Sequence, residues 1–232
     1  MYYKLSKSCQ IKKLSSIYED FFGAIDNGVF VEVGAYDGES FSNTSGLADR
    51  GWGGLYIEPI KFSYENCLKR HKNNNVKVLN NAIGTEDKKV KIYQSYSVYN
   101  NDGDCAYLTT TKKSQMEIQR QVDWSTHISY VTEVCHQRRL EDVLVENNIP
   151  KNFDLLIVDV EGSEEDVLDS FNIGQWNPKM LIIEVEEDSR HYKKFDEFIE
   201  RNKLLRKKIH DYGYTEELYR DHVNTIFIKP RA

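Results

Sequence analysis

Apolar residues along the chain come in short, nearly continuous runs separated by segments with helical spacing. VFVEVG (29–34), GGLYIEP (53–59), VKVLNNAIG (76–84), DLLIVDV (154–160), KMLIIEVEE (179–187) and VNTIFIKP (223–230) each read as a strand. Runs with so little polar alternation suit parallel strands covered on both faces. Between them, helices are expected over 41–50, over 60–72 with Phe62, Tyr64, Cys67 and Leu68, over 141–148 and over 164–171. A longer helix over 191–209 places Phe195, Phe198, Ile199 and Leu205 on one face. Strands alternating with helices imply βαβ units with right-handed crossovers. The fold class is therefore α/β, a doubly wound sheet with helices on both faces. The strand regions near Tyr212–Tyr214 and 223–229 are joined by about ten polar residues, too few for a crossover, so a hairpin and an antiparallel last strand are expected.

Two stretches fall outside this alternation. Residues 1–28 read as an amphipathic lead-in helix with Ile17, Phe21 and Phe22 on its apolar side, ahead of a main domain over 29–232. Residues 85–139 are too long for an ordinary connection and form an insertion of the kind that carries substrate loops. VKIYQSY within it reads as an extra strand, followed by a polar stretch holding Trp124, His127 and Tyr130.

Chemistry gathers where strands end. The first strand runs into EVGAYDGESFSNT, in which Gly34 and Gly38 bracket a tight turn towards a helix whose N-terminus would offer free N–H groups. Tyr36 and Glu39 stand where a Gly-x-Gly-x-x-Gly fingerprint needs glycine, so the dinucleotide motif fails. Glu58 ends the second strand, 24 residues beyond Gly34. A carboxylate there either accepts the hydroxyl protons of a ribose or simply faces water. Glu32 lies inside an apolar strand, and an unpaired buried carboxylate costs several kcal/mol, so it needs donors from a loop or from a ligand ammonium. No phosphate-binding Gly-x-x-x-x-Gly-Lys-Ser/Thr occurs and no basic cluster sits at the turn. A nucleoside with a cationic or amino-acid tail fits better than a pyrophosphate.

The fourth strand stops on Asp159 and Glu161, two residues apart and hence on one side of an extended backbone. Ser163 and Asp166 resemble a capping box, and Glu164 and Glu165 complement the dipole of the helix that follows. Asp159 and Glu161 either act on a substrate or cap loop N–H groups. With Glu184 and Glu186 at the end of the neighbouring strand, they could also hold Mg²⁺ or another hard divalent cation, the candidate ligands being Asp159, Glu161 and Glu184. His136 and His127 are candidate bases or ordinary surface residues. Tyr93, Tyr96, Tyr99, Tyr107 and Trp124 could stack on a sugar or serve packing alone.

The ordered set FVEVGAYDGESFSNT, GWGGLYIEP, NNAIG, FDLLIVDVEGSEEDVL and LIIEVEE resembles the FkbM-type S-adenosylmethionine-dependent methyltransferases from about Val29 to Glu187. The resemblance implies a class I methyltransferase, Rossmann-like fold with a seven-stranded sheet and one antiparallel strand. It implies S-adenosyl-L-methionine as cofactor and O-methylation of sugars or polyketide hydroxyls. By position, Glu32, Gly34, Ala35, Asp37 and Gly38 would line the methionine end, and Ser42, Asn43 and Thr44 would hold its carboxylate. Glu58 would take the ribose and Asn81 and Ala82 the adenine, with Asp159 and Glu161 near the transferred methyl. Nothing in 85–139 aligns, so the acceptor does not transfer.

Composition narrows the partners. The formal charge of −6 argues against a nucleic-acid partner, although Lys203, Arg206, Lys207 and Lys208 could form a local basic face or a solvated helix end. Four cysteines without Cys-x-x-Cys spacing fit reduced thiols in a cytoplasmic protein, and no apolar stretch is long enough for a membrane span. Two rival readings remain. Asp102-Gly103-Asp104 would serve a metal-dependent nucleotide-sugar glycosyltransferase, and a cofactor fold without chemistry would serve only to bind a partner.

Overall fold

A computed structural model describes residues 2–97, 108–122 and 128–230. Among them a seven-stranded sheet has the order β3-β2-β1-β7-β8-β10-β9. Its strands are β1 (Val29–Val33), β2 (Gly53–Ile57), β3 (Val76–Leu79), β7 (Leu155–Val158), β8 (Met180–Glu184), β9 (Glu216–Arg220) and β10 (Asn224–Ile228). β10 runs antiparallel to both neighbours, while β1, β2, β3, β7 and β8 pair in parallel. The strand order reverses between β1 and β7, and such a switch point opens a crevice at the carboxyl ends of the strands.

Both faces of the sheet are dry. On one, Val31, Val33, Leu156 and Val158 pack with Leu140, Leu144, Leu168, Trp176 and Leu205 from the helices. On the other, Phe30, Tyr56, Leu155 and Ile157 pack with Tyr3, Leu14, Tyr18, Leu47 and Trp52. This two-sided burial explains why the central strands show so little alternation. The helices are α1 (Leu14–Phe22), α2 (Ser45–Asp49), α3 (Lys61–Arg70), α4 (Lys113–Gln119), α5 (Leu140–Glu146), α6 (Glu164–Asp169), α7 (Ile173–Trp176) and α8 (Asp196–Asp211). Among the described residues, no helix is long and apolar enough to cross a membrane.

Several expectations change in detail. The lead-in helix shortens to α1, because the polar KLSKSCQIKK stretch lacks apolar periodicity, and its buried face is Leu14, Ser15 and Tyr18. On α3, Phe62 and Leu68 face solvent and only Ser63 and Cys67 are buried. The long helix begins at Asp196 rather than 191. The hairpin partner of β10 is β9, beginning at Glu216, whereas Tyr212 caps α8.

The run 76–84 is two strands. β3 stays in the main sheet, and β4 (Ala82–Ile83) joins a separate three-stranded sheet of order β4-β6-β5. The insertion builds that sheet. β5 (Lys88–Ser97) and β6 (Ile128–Arg138) form a long antiparallel hairpin in register from Lys88–Gln137 to Ser97–Ile128. β6 is the stretch read as merely polar, and much of it faces solvent on both sides, which erases the alternating signature of a half-buried strand.

Candidate functional site

One cavity of about 620 Å³ opens at the carboxyl ends of β1, β2 and β7, within the size range of cofactor sites. Its wall includes Glu32, Gly34, Ala35, Ser42, Asn43, Glu58, Asn81, Ala82, Asp159 and Glu161. Most of the residues singled out from the sequence therefore converge. Asp37, Gly38 and Thr44 stand behind this wall. Asp37 accepts hydrogen bonds from the Glu39 and Ser40 backbone at 2.9 and 2.6 Å. Gly38 offers its carbonyl to His71 Nε2 at 2.8 Å. The Thr44 hydroxyl donates to the buried Glu32 carboxylate and lies 2.9 Å from the Tyr56 hydroxyl.

Gly34 is the hinge of this arrangement. Its φ is +91°, and a β-carbon there would fall 1.7 Å from the Asp159 carbonyl oxygen, so glycine lets the β1 loop pass directly against the end of β7. The loop does not lead straight into a helix, as α2 starts only at Ser45. Its N–H groups are also spoken for: Gly34 and Ala35 both donate to Ile57 O, at 2.9 and 3.2 Å, and Tyr36 donates to Glu58 Oε2 at 2.9 Å. The N–H groups of the turn itself are therefore committed within the protein. Tyr36, Phe41 and Glu161, all on the cavity wall, hold φ of +49°, +59° and +53°. Left-handed backbone at non-glycine residues costs on the order of 1–3 kcal/mol each and concentrates at ligand sites.

Electrostatics set the character of the cavity. Glu32, Glu58, Asp159, Glu161 and Asp221 line it, and none of its described wall residues is Lys or Arg. Burial pushes the Glu32 carboxyl up to about 8, against the donation from Thr44. Burial likewise pushes Glu58 up to about 8, although the Ile60 and Tyr36 N–H groups favour its ionised form. Asp159 rises to about 6, through burial and then the charge of Glu164. Glu161 and Glu184 are pushed well above the carboxylate range by burial and then by Asp159. Burial raises Glu186 to about 8. Each shift reports a charge that burial and neighbouring acids disfavour.

The end of β7 is fixed from two directions. Ser163 precedes α6 but does not cap it; its hydroxyl meets the Thr111 hydroxyl of the insertion at 2.8 Å. Glu164 turns back instead and accepts from Gly162 N at 2.9 Å and Val160 N at 3.3 Å. Glu161 accepts from Gln119 Nε2 of α4 at 2.8 Å, and Gln119 Oε1 accepts from the Tyr130 hydroxyl at 2.9 Å. Asp159, Glu161 and Glu184 can each bring a carboxylate oxygen within 4.8 Å of the others.

His136 is not brought to this cavity. It sits exposed on β6, with Nε2 2.6 Å from Asp87 Oδ1. Register explains the placement: the hairpin carries His136 towards the base of the second sheet, opposite Lys89. His127, Trp124, Tyr99, Tyr107, Asp102 and Asp104 lie outside the described residues. Lys203, Arg206, Lys207 and Lys208 form no free basic face. Arg206 is buried and pairs with Glu187 at 2.8 Å and with Glu217, Lys208 pairs with Asp169 at 2.6 Å, Lys207 with Asp211 at 2.6 Å, and Lys203 with Glu200 at 3.6 Å.

The wall also contains residues that sequence reasoning missed: Ser8, Gln10, Thr109, Thr110, Thr111 and the Asp221–Asn224 turn. These are short polar residues in loops far apart along the chain, and no local pattern marks them.

A search of curated protein sequences returns no significant match. Among solved structures, precorrin-6y C5,15-methyltransferase from Geobacter metallireducens is 11% identical, with 98% of this chain and 94% of that one covered at a TM-score of 0.44. The O-methyltransferase from Bacillus cereus in complex with SAH is 12% identical, covering 98% of this chain and 83% of that one, also at 0.44. The family model of the methyltransferase FkbM domain matches residues 32–215. That span begins at the buried Glu32 of β1 and takes in the glycine turn, Glu58, the insertion and the acid-ended β7. The chain belongs to the FkbM methyltransferase family and is an S-adenosyl-L-methionine-dependent methyltransferase.

Proposed function

We propose that the cavity binds S-adenosyl-L-methionine and that the protein passes its methyl group to a hydroxyl of a saccharide or related natural-product acceptor. The observation that carries this reading is the acidity of the wall: five acids and no Lys or Arg among the described lining residues. Such a wall offers a phosphate no countercharge, and it favours a ligand whose positive charge draws the buried acids into their ionised form. Bound there, the cofactor would supply a methyl group made electrophilic by its sulfonium.

The chain's own residues do the rest. Glu58 would accept the ribose hydroxyls, Asn81 and Ala82 would flank the adenine, and Glu32, Ser42 and Asn43 would surround the methionine end. Holding donor and acceptor in line is a large contribution that a protein makes to a displacement of this kind. One proton must leave the acceptor hydroxyl. Asp159, with its carboxyl raised to about 6, is ionised at neutral pH yet basic enough to take that proton. Glu161 is held protonated by burial and its neighbours, which suits it to donate a hydrogen bond to the acceptor. A positioned base contributes on the order of 10²–10⁴-fold.

A divalent cation is the second reading, favoured by the proximity of Asp159, Glu161 and Glu184. Three hard oxygen donors suit Mg²⁺, which would lower the acceptor's pKa. The glycosyltransferase alternative finds no Lys or Arg among the described wall residues to hold a diphosphate, and its Asp102 and Asp104 lie outside the described residues. The test is transfer of isotope-labelled methyl from the cofactor to a panel of neutral saccharides and polyols, with RNA and amines as controls. Label recovered as an acid-stable methyl ether supports the reading. Label found only on RNA or on nitrogen refutes it, and turnover unaffected by chelators removes the metal.

A further inference from the structure

The segment ahead of α1 lies outside the residues that match the family, yet it forms part of the cavity wall through Ser8 and Gln10. It is built into the fold. Tyr3 and Ile11 are buried with the core on one face of the sheet. A β-carbon on Gly46 would fall 1.8 Å from the Lys4 carbonyl oxygen, so the segment lies directly on α2.

From that anchorage the segment grips the loop that ends the glycine turn. Ser8 Oγ accepts from Phe41 N at 3.1 Å and donates to Glu39 O at 3.4 Å. The Cys9 thiol reaches Asn43 Oδ1 at 3.4 Å, and the Tyr18 hydroxyl of α1 donates to Asn43 O at 3.0 Å. Phe41, in left-handed backbone, is thus held from outside the family span.

Gln10 follows at the cavity itself. It lines the cavity together with Asp159. Its side-chain carbonyl oxygen, Oε1, is buried and has no hydrogen-bond partner among the described residues. A buried amide carbonyl left without a donor is destabilising, and a native fold keeps few such atoms.

We propose that Gln10 is a cofactor-binding residue whose Oε1 accepts a hydrogen bond from the α-ammonium of the methyl donor, with Ser8 and Gln10 forming the wall at the amino-acid end of the site. The proposal rests on the methyl-donor reading of the cavity. The ammonium is the donor of that ligand that belongs on this side: Gln10 neighbours Asp159 and, through Cys9, Asn43, whereas Glu58 and Asn81 are its counterparts for the nucleoside.

The test is calorimetry on the full chain with two ligands, S-adenosylhomocysteine and 5′-methylthioadenosine, which keeps the nucleoside and lacks the amino-acid group. Gln10→Leu should weaken S-adenosylhomocysteine about tenfold or more and leave 5′-methylthioadenosine unchanged. Gln10→Met, closer in shape, repeats the measurement should leucine disturb the segment. Equal weakening of both ligands, or of neither, overturns the assignment. Wild-type protein that binds neither ligand refutes the methyl-donor reading itself, and the Gln10 contact with it.

Discussion

Gln119, on the insertion helix α4, donates a 2.8 Å hydrogen bond to the carboxylate of Glu161 at the end of β7. The two residues are 42 positions apart and belong to different sheets' neighbourhoods, so the contact ties the insertion to the acidic end of the cavity. Gln119 is fully buried and is itself held by the Tyr130 hydroxyl of β6. The insertion therefore orients a site residue, in addition to covering the site with Thr109–Thr111.

Replacing Gln119 by leucine should remove the donor that favours the ionised Glu161 and move that carboxyl's titration further upward. Loss of a buried hydrogen bond to a carboxyl group costs about 1–3 kcal/mol, a fall in melting temperature of a few degrees per kcal/mol for a domain of this size. Thermal melts of the two proteins check the cost. An unchanged midpoint would show that the insertion does not brace β7.

Glu58 accepts Tyr36 N at 2.9 Å and Ile60 N at 2.8 Å, so it shapes the glycine turn as well as facing the cavity. Glu58→Gln keeps the size and one acceptor atom. It should weaken S-adenosylhomocysteine about tenfold, since a ribose hydroxyl hydrogen-bonded to a carboxylate is worth about 1.5–3 kcal/mol. Equal affinity in calorimetry would leave Glu58 with the turn alone.

His136 offers a clean negative. It pairs with Asp87 on the exposed hairpin, away from the cavity wall. His136→Ala should leave cofactor affinity and methyl transfer unchanged within a factor of about two, because exposed ion pairs of this kind are worth little. A large loss of turnover would show that β6 swings to the site.

The main sheet was readable because burial on both faces wrote itself into nearly unbroken apolar runs such as LLIV and LIIE. The glycine turn and the acids at the strand ends were readable because each sits beside such a run. What escaped was set by contacts distant in sequence. The break in 76–84 falls at Asn80 and Asn81, where Asn80 Nδ2 donates to Glu58 O at 2.9 Å and the chain leaves one sheet for another. β6 carries exposed residues on both faces and so has no period to detect. Ser8 and Gln10 are polar residues in an irregular segment, and only the packing of Tyr3 and Ile11 brings them to the cavity.

The raised acids of the wall give the most direct test. Glu32 and Glu58 move from an ordinary 4.5 to about 8 in the fold. Their protonated forms stabilise the ligand-free protein fully below pH about 4.5, and that contribution is lost as pH rises through about 8. At pH 7 both are largely protonated, and a cationic ligand set against them favours ionisation. The decisive measurement is calorimetric titration with S-adenosyl-L-methionine at pH 7 in buffers of different ionisation enthalpy. The account predicts binding accompanied by proton release, so that the observed heat varies with the buffer. Absence of binding at millimolar cofactor would contradict it.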